Sequence, residues 1–416
     1  MSKASRQRGS DLRALVSTGV VRLGGLGANA LQAFILPMLL GPTAFGLFSS
    51  LFTVLLVASG IIRVPLEVLV QRGRDGRGEG ALRLVYGPRE FGLAVLFALL
   101  LGTLTYVGLY LAQGRSGSAS FAIGLGAATV IAGLSGLRRG EHLVLERTAR
   151  VEQLDAIVRP ALFLGLVGAA WLFGRAEQWW PTLLIASFLL VLAWPNLVAA
   201  QRVRRAATGS EAAVAPWRNL TLSNGLSIGV KHADVLIIGA YLSLETVGRY
   251  FIIARLADLI AFGYSFAAAR FVHRFATAWR EGRHGEARAI IGRAMAYGAA
   301  ISCLMAAGAA FLSPFVLPLI DPLLADYWLA LVLLLAAAII NSTLGLCGAF
   351  MTALDPRHML KIKIACNPLA VVAMLVAVPR FGVMGAATVT LGFALSLQLL
   401  SAFMFRRLTR EEGCGS

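Results

Sequence analysis

The basic residues of this chain alternate with its apolar runs, and few folds are compatible with that pattern. Long apolar segments follow one another from end to end, and 30 of the 38 Lys and Arg residues stand at the termini or around every second gap between them. Lys3, Arg6, Arg8 and Arg13 precede the first run, and Arg72, Arg74, Arg77, Arg83 and Arg89 follow the second, while the gap between, around Gly41, carries no charge. The alternate gaps hold only Arg115, Arg175, Arg249 and Arg380. Runs of about 20 apolar residues cross a bilayer core, and cytoplasmic loops collect Lys and Arg. The pattern therefore predicts an all-α polytopic membrane protein with both termini on the cytoplasmic side.

Twelve spans are expected: Ala14 to Leu36, Ala44 to Val70, Phe91 to Gln113, Ser118 to Leu137, Leu154 to Phe173, Trp179 to Ala200, Trp217 to Leu242, Thr246 to Ala269, Ala294 to Leu319, Trp328 to Leu354, Ile362 to Pro379 and Val383 to Phe405. Each must be helical, because hydrocarbon cannot satisfy an open strand edge. Trp171, Trp179, Trp180, Tyr327 and Trp328 fall at outer ends and Trp194 and Trp217 near inner ones, as interfacial aromatics do. The first run is too long for a signal-peptide core and is read as a retained span.

Composition narrows the class further. With 58% hydrophobic and 14% charged residues, the chain has too little polar surface for a water-soluble globule. The net charge of +17 is spread over seven short segments rather than gathered in a stripe, so it fits anionic lipid headgroups and argues against nucleic acid. Cys303, Cys347 and Cys366 lie inside apolar runs and Cys414 in the tail, with no spacing that suits a metal, so neither metal nor cofactor is expected. The outer gaps are too short for a catalytic domain, and an enzyme is not expected.

A weak repeat divides the chain near Arg202 to Pro216. Leu40, Gly46 and Phe48 recur as Leu242, Gly248 and Tyr250, Leu145-Glu146 has a counterpart in Leu354-Asp355, and Arg159-Pro160 has one in Asn367-Pro368. The predicted organisation is an N-terminal lobe over 1–201, a cytoplasmic linker over 202–216, a C-terminal lobe over 217–405 and a tail over 406–416. Two parallel six-span copies are the arrangement in which transporters place a substrate site between the halves.

Ionisable residues at membrane depth are functional candidates by default. Arg22 and Arg255 each lie roughly 13 Å from the nearer end of their span at about 1.5 Å per residue, and Arg63 lies further towards the cytoplasmic edge. Asn224, Ser227, Lys231 and Asp234 share one face of a continuous seventh helix, and His232 points elsewhere. The plainer alternatives are structural. Arg63 can snorkel or pair with Glu67, Arg255 can pair with Asp258 and Lys231 with Asp234, each within a turn. Arg22 has no acidic residue within a turn. His232 is read as a hydrogen-bonding residue of the bundle, Asn341 and Asn367 as interhelical glue, and Arg138, Arg139, Arg204 and Arg205 as topology determinants.

Three stretches carry a family resemblance: Leu40-Gly-Pro-Thr-Ala-Phe-Gly-Leu-Phe48; Asp234-Val-Leu-Ile-Ile-Gly-Ala-Tyr-Leu-Ser-Leu-Glu-Thr-Val-Gly-Arg-Tyr250 with Ala254-Arg255-Leu256; and Val378-Pro-Arg-Phe-Gly-Val-Met-Gly-Ala-Ala387. In this order and spacing they resemble the polysaccharide-biosynthesis flippases of the multidrug/oligosaccharidyl-lipid/polysaccharide (MOP) exporter superfamily. The resemblance implies a MOP/MATE-like fold of two six-helix lobes, a bacterial inner-membrane location, and export by alternating access of an undecaprenyl-diphosphate-linked oligosaccharide for a polymerase or ligase machinery. It also implies a cationic cavity at Arg22, Arg63 and Arg255; Lys231, Asp234, Asp258 and Asn224, ionisable or polar within spans, are further cavity or coupling candidates on their placement alone. Guanidinium groups suit a diphosphate, and outward movement of two negative charges gains about 4.6 kcal/mol per 100 mV. The competing readings are a drug or cation antiporter, a membrane polymerase or ligase acting on lipid-linked glycans, and a transport-dead scaffold. The related lipid II flippases have two further C-terminal spans, and drug exporters often carry an acidic residue in the first span, where this chain has Arg22.

Overall fold

In a computed structural model of the protein, the structure describes residues 21, 24–25, 27–72, 96, 119–144, 153–206, 225–354 and 356–411. Arg22, Asn224, Arg115 and all but one residue of the expected third span lie outside the described residues. Among those described, every regular element is a helix.

The chain forms two units, Met1–Gly229 and Val230–Ser416. In the first, α1 (Gly27–Leu40) ends at Gly41, whose φ of +76° turns the chain directly into α2 (Pro42–Arg72). Next come α3 (Ala119–Val144), a π-helical turn (Gln153–Val158) running into α4 (Arg159–Leu172), and α5 (Ala176–Ala206). The apolar face of α2 is buried along α3 and closes over aromatic residues. The Phe48 ring stacks on Phe163 at 5.6 Å and meets Trp180 edge-on at 5.8 Å. Glycine permits the close approach of α2 and α3: a Cβ on Gly136 would stand 2.1 Å from the Arg63 carbonyl oxygen. Residues 225–231 form a short helix whose Ile228 side chain covers Gly60.

The second unit contains α6 (Ala233–Tyr241), α7 (Leu244–Arg280), α8 (His284–Ile320), a 3₁₀ turn (Pro322–Tyr327), α9 (Trp328–Thr343), α10 (Gly345–Leu354) and α11 (Pro356–Glu411). Ser243 caps α7, its hydroxyl accepting from the Thr246 N–H. The long α7 is central, and the Ser302 and Ser342 hydroxyls from α8 and α9 both donate to its Ile260 carbonyl, each at 3.3 Å. Phe271, Phe275, Phe350 and Phe405 form the core at one end. Helix α11 holds both of the last two expected spans, divided at Gly382, whose φ of +59° reverses the chain just after Pro379.

Six helical segments among the described residues are long and apolar enough to cross a membrane. The tenth expected span is divided at Leu344 into α9 and α10, whereas the eighth and ninth are shorter than the helices they mark. Helix α7 runs to Arg280 rather than Ala269 and α8 begins at His284 rather than Ala294, so polar turns continue each span beyond its apolar stretch. The continuity of the seventh span is corrected as well. The seventh span is not a single helix: it breaks at His232, whose φ of −117° and ψ of 5° leave the helical region.

Candidate functional site

The break at His232 reorganises the charges that a straight helix would have aligned. Lys231 closes one short helix and Asp234 opens the next, so they no longer pair as i, i+3 neighbours. Lys231 Nζ instead reaches Asp258 Oδ1 on α7 at 3.0 Å. The expected pair of Arg255 with Asp258 is present, with Nη1 donating to Oδ2 at 3.0 Å. One carboxylate thus holds two cations, and the cluster of Lys231, Arg255 and Asp258 keeps a net charge of +1. The Arg255 guanidinium also lies 4.5 Å from the centre of the Phe251 ring, within cation–π range. Lys231 is about half exposed, whereas Arg255 is 18% exposed in its side chain. The arrangement combines one exposed ammonium with one largely buried planar guanidinium, and the chemistry of such a pair is to attract and grip an anion.

Asp234 is occupied differently. It is buried, its Oδ2 accepts from the Tyr250 hydroxyl at 2.6 Å and its Oδ1 from the Val235 N–H at 2.8 Å. This carboxylate ties α6 to α7. Helical spacing pairs it with Lys231; the structure gives the two different partners.

In the first unit Arg63 is half-buried on α2, beside the contact with Gly136. Glu67, the expected partner one turn on, takes the Arg139 Nε–H at 3.1 Å and so links α2 to α3. Arg138 donates to Asp155 at 2.9 Å with its side chain 5% exposed. Neither arginine is only a loop charge that orients the chain.

Arg159 stands near the end of an apolar run, where its spacing is that of a cytoplasmic-gap charge. It is buried, its guanidinium 4.3 Å from the centre of the Phe188 ring and 5.6 Å from that of Phe52. Its repeat counterpart Asn367 is buried too. A buried polar residue before proline at the same place in both repeats was the available signal. Among the described residues no group of three or more His, Cys, Asp or Glu is placed to hold a metal ion.

No family model matches the sequence, and no curated protein matches it. Solved structures do match the fold over nearly the whole chain. One is the outward-facing conformation of a multidrug resistance MATE family transporter of the MOP superfamily, with a TM-score of 0.66 and 16% identity over 96% of each chain. A second is MATE in complex with MaD5, with a TM-score of 0.65 and 17% identity over 96% of each chain. A third is a MOP superfamily transporter from Pyrococcus furiosus, described by the reverse polarity of its binding pocket, with a TM-score of 0.59 and 15% identity over 95% of each chain. Identity at this level establishes architecture. The chain is a multi-pass membrane protein with the fold of the MATE transporters of the MOP superfamily.

Proposed function

We propose that the protein is a transporter that exports an undecaprenyl-diphosphate-linked oligosaccharide by alternating access, with Arg255 as a ligand of the diphosphate. The observation that carries this reading is the cluster of Lys231, Arg255 and Asp258: two cations share one carboxylate at a depth where each charge must be matched by a partner or a guest. The surplus positive charge suits a diphosphate diester, and a planar guanidinium beside Phe251 can present two donors to it. The Pyrococcus furiosus neighbour, for which reverse pocket polarity is described as suggesting a different function, is a precedent for this fold carrying altered pocket charge.

Because Lys231 also holds Asp258, Arg255→Gln leaves the carboxylate paired and is a clean test. The variant is expected to insert and melt as the parent does while surface or secreted polysaccharide falls by about tenfold or more, the equivalent of one or two charge-assisted hydrogen bonds. Arg255→Lys is expected to be impaired as well, since an ammonium lacks the planar fork. Deletion of the gene should leave the lipid-linked intermediate on the cytoplasmic leaflet. Full export by Arg255→Gln at normal expression overturns the assignment of this residue.

One observation favours a second reading, a drug or cation antiporter: the buried Asp234 carboxylate beside Tyr250 is a candidate cation-coupling group, and structural neighbours include multidrug transporters. Normal polysaccharide with altered drug resistance on deletion would select it.

A further inference from the structure

The two units tie matching helices together in different ways, and the second way leaves donors to spare. In the first unit the fourth and sixth expected spans, α3 and α5, are joined by one amide: buried Asn196 donates from Nδ2 to the Ile131 carbonyl at 2.7 Å. In the second unit the tenth and twelfth, α9 and the part of α11 after Gly382, are joined by two. Buried Gln398 donates from Nε2 to Asn341 Oδ1 at 2.9 Å. Asn341 thus serves as interhelical glue, yet in the first unit a backbone carbonyl serves the same purpose. Asn341 is itself exposed, and with Oδ1 held by Gln398 the two N–H donors on its Nδ2 are unspent among the described residues.

Depth makes those donors significant. Asn341 stands thirteen residues from either end of the expected span Trp328 to Leu354, roughly 20 Å from each at about 1.5 Å per residue, near the bilayer centre. Hydrocarbon offers an amide nothing to donate to, so an exposed one at this level needs an oxygen from a guest. Its polar neighbours Ser342, Thr343 and Gln398 are uncharged, which suits a neutral hydroxyl or carbonyl oxygen. The Ser342 hydroxyl donates to the Ile260 carbonyl, so this part of α9 lies level with Ile260, five residues or about 7–8 Å along α7 from Arg255. Lys231 and Asn341 each stand within a turn of a mid-span break, at His232 and Leu344, and transporters built from repeats form their sites at discontinuous spans.

We propose that Asn341 reads the sugar of the cargo, donating from Nδ2 to a hydroxyl or acetamido oxygen of the glycan while Gln398 orients its amide. This role rests on a lipid-linked glycan as cargo and adds to it a division of labour: Arg255 takes the charge, which every such lipid shares, and Asn341 takes the part that differs between them. A site built to hydrogen-bond a substrate oxygen discriminates against an analogue that lacks it.

The test measures binding to the full-length protein in detergent by native mass spectrometry and thermophoresis. The probes are farnesyl diphosphate esterified with N-acetylglucosamine, glucose or galactose, and the methyl diester, which has the same charge and no sugar. The parent should bind at least one sugar diester about fivefold to tenfold more tightly than the methyl diester, the worth of one net hydrogen bond. The double variant Asn341→Leu/Gln398→Leu, which strands neither amide, should lose that preference and keep its affinity for the methyl diester. Gln398→Leu alone leaves Asn341 in place with its amide free to rotate and should lose part of the preference, which keeps the test open if the double variant fails to fold. Arg255→Gln should weaken all four probes and retain the preference. Failure of the parent to bind any of the four overturns the transport reading itself. Equal binding of the methyl and sugar diesters by the parent, or an undiminished preference in the folded double variant or in Gln398→Leu, overturns the role of Asn341 and leaves that of Arg255 standing. A parent dimer that the double variant dissociates would give the donors to a second copy of the chain and overturns it too.

Discussion

Phe48 and Tyr250 occupy matching places in the two units, and a single hydroxyl separates the ways they are used. Both follow a short turn at the start of the second helix of their repeat, and both are buried. Phe48 packs against the rings of Phe45, Phe52, Phe163 and Trp180. Tyr250 reaches back to the preceding helix and donates to Asp234. Arg159 and Asn367 differ in the opposite sense, since the charge lies in the first unit and the neutral amide in the second. Repeats of one architecture can therefore place polarity at different points, provided each buried group is given rings, a carboxylate or a donor to compensate it.

The sharpest way to break this comparison is at the helix crossings. A Cβ on Gly136 would meet the Arg63 carbonyl oxygen at 2.1 Å, and one on Gly298 would meet the Ser342 carbonyl oxygen at 2.8 Å. Backbone cannot swing aside, so both Ala variants should exceed the cost of ordinary overpacking, about 3 kcal/mol. Gly136→Ala should be the worse of the two by yield of folded protein in detergent. Equal yields would show that the first unit relaxes as easily as the second.

Next in size is Asp258→Asn, which removes the negative charge that Lys231 and Arg255 share. A loss of about 3 kcal/mol is expected, the scale of a lost hydrogen bond to a charged group, read as a lowered Tm. An anion that binds the freed cations should restore part of it.

Tyr250→Phe makes the second unit chemically like the first at this position and leaves Asp234 one donor short, a cost of about 1–3 kcal/mol. Phe48→Tyr should cost a similar amount for the converse reason, a buried hydroxyl among rings. Combining Tyr250→Phe with Asp234→Leu should recover most of the Tm, because removing both partners strands neither. Failure to recover would assign the carboxylate a role beyond joining the two helices.

The smallest effect belongs to Arg159→Met, which keeps an unbranched apolar stem and removes the guanidinium over Phe52 and Phe188. A decrease under about 2 kcal/mol is expected, the range of cation–π contacts. A larger fall in Tm would mean that the guanidinium, not its stem, organises this core.

The sequence by itself determined the helical architecture and much of its punctuation. Hydrocarbon admits no unpaired backbone, so apolar length dictates helices, and the turns at Gly41 and Gly382 stand where the apolar runs break. The i, i+3 contact of Arg255 with Asp258 was legible for the same local reason. Only the tertiary structure decided the partners that cross between helices. His232 breaks a helix that periodicity would continue, which sends Lys231 to Asp258 and leaves Asp234 to Tyr250. Glu67 goes to Arg139 rather than staying on its own helix, and Arg138 and Arg159, spaced like loop charges, are drawn into the first unit by Asp155, Phe52 and Phe188. A buried charge settles on whichever group packing brings within about 3–4 Å, and its choice among distant residues is made by the fold.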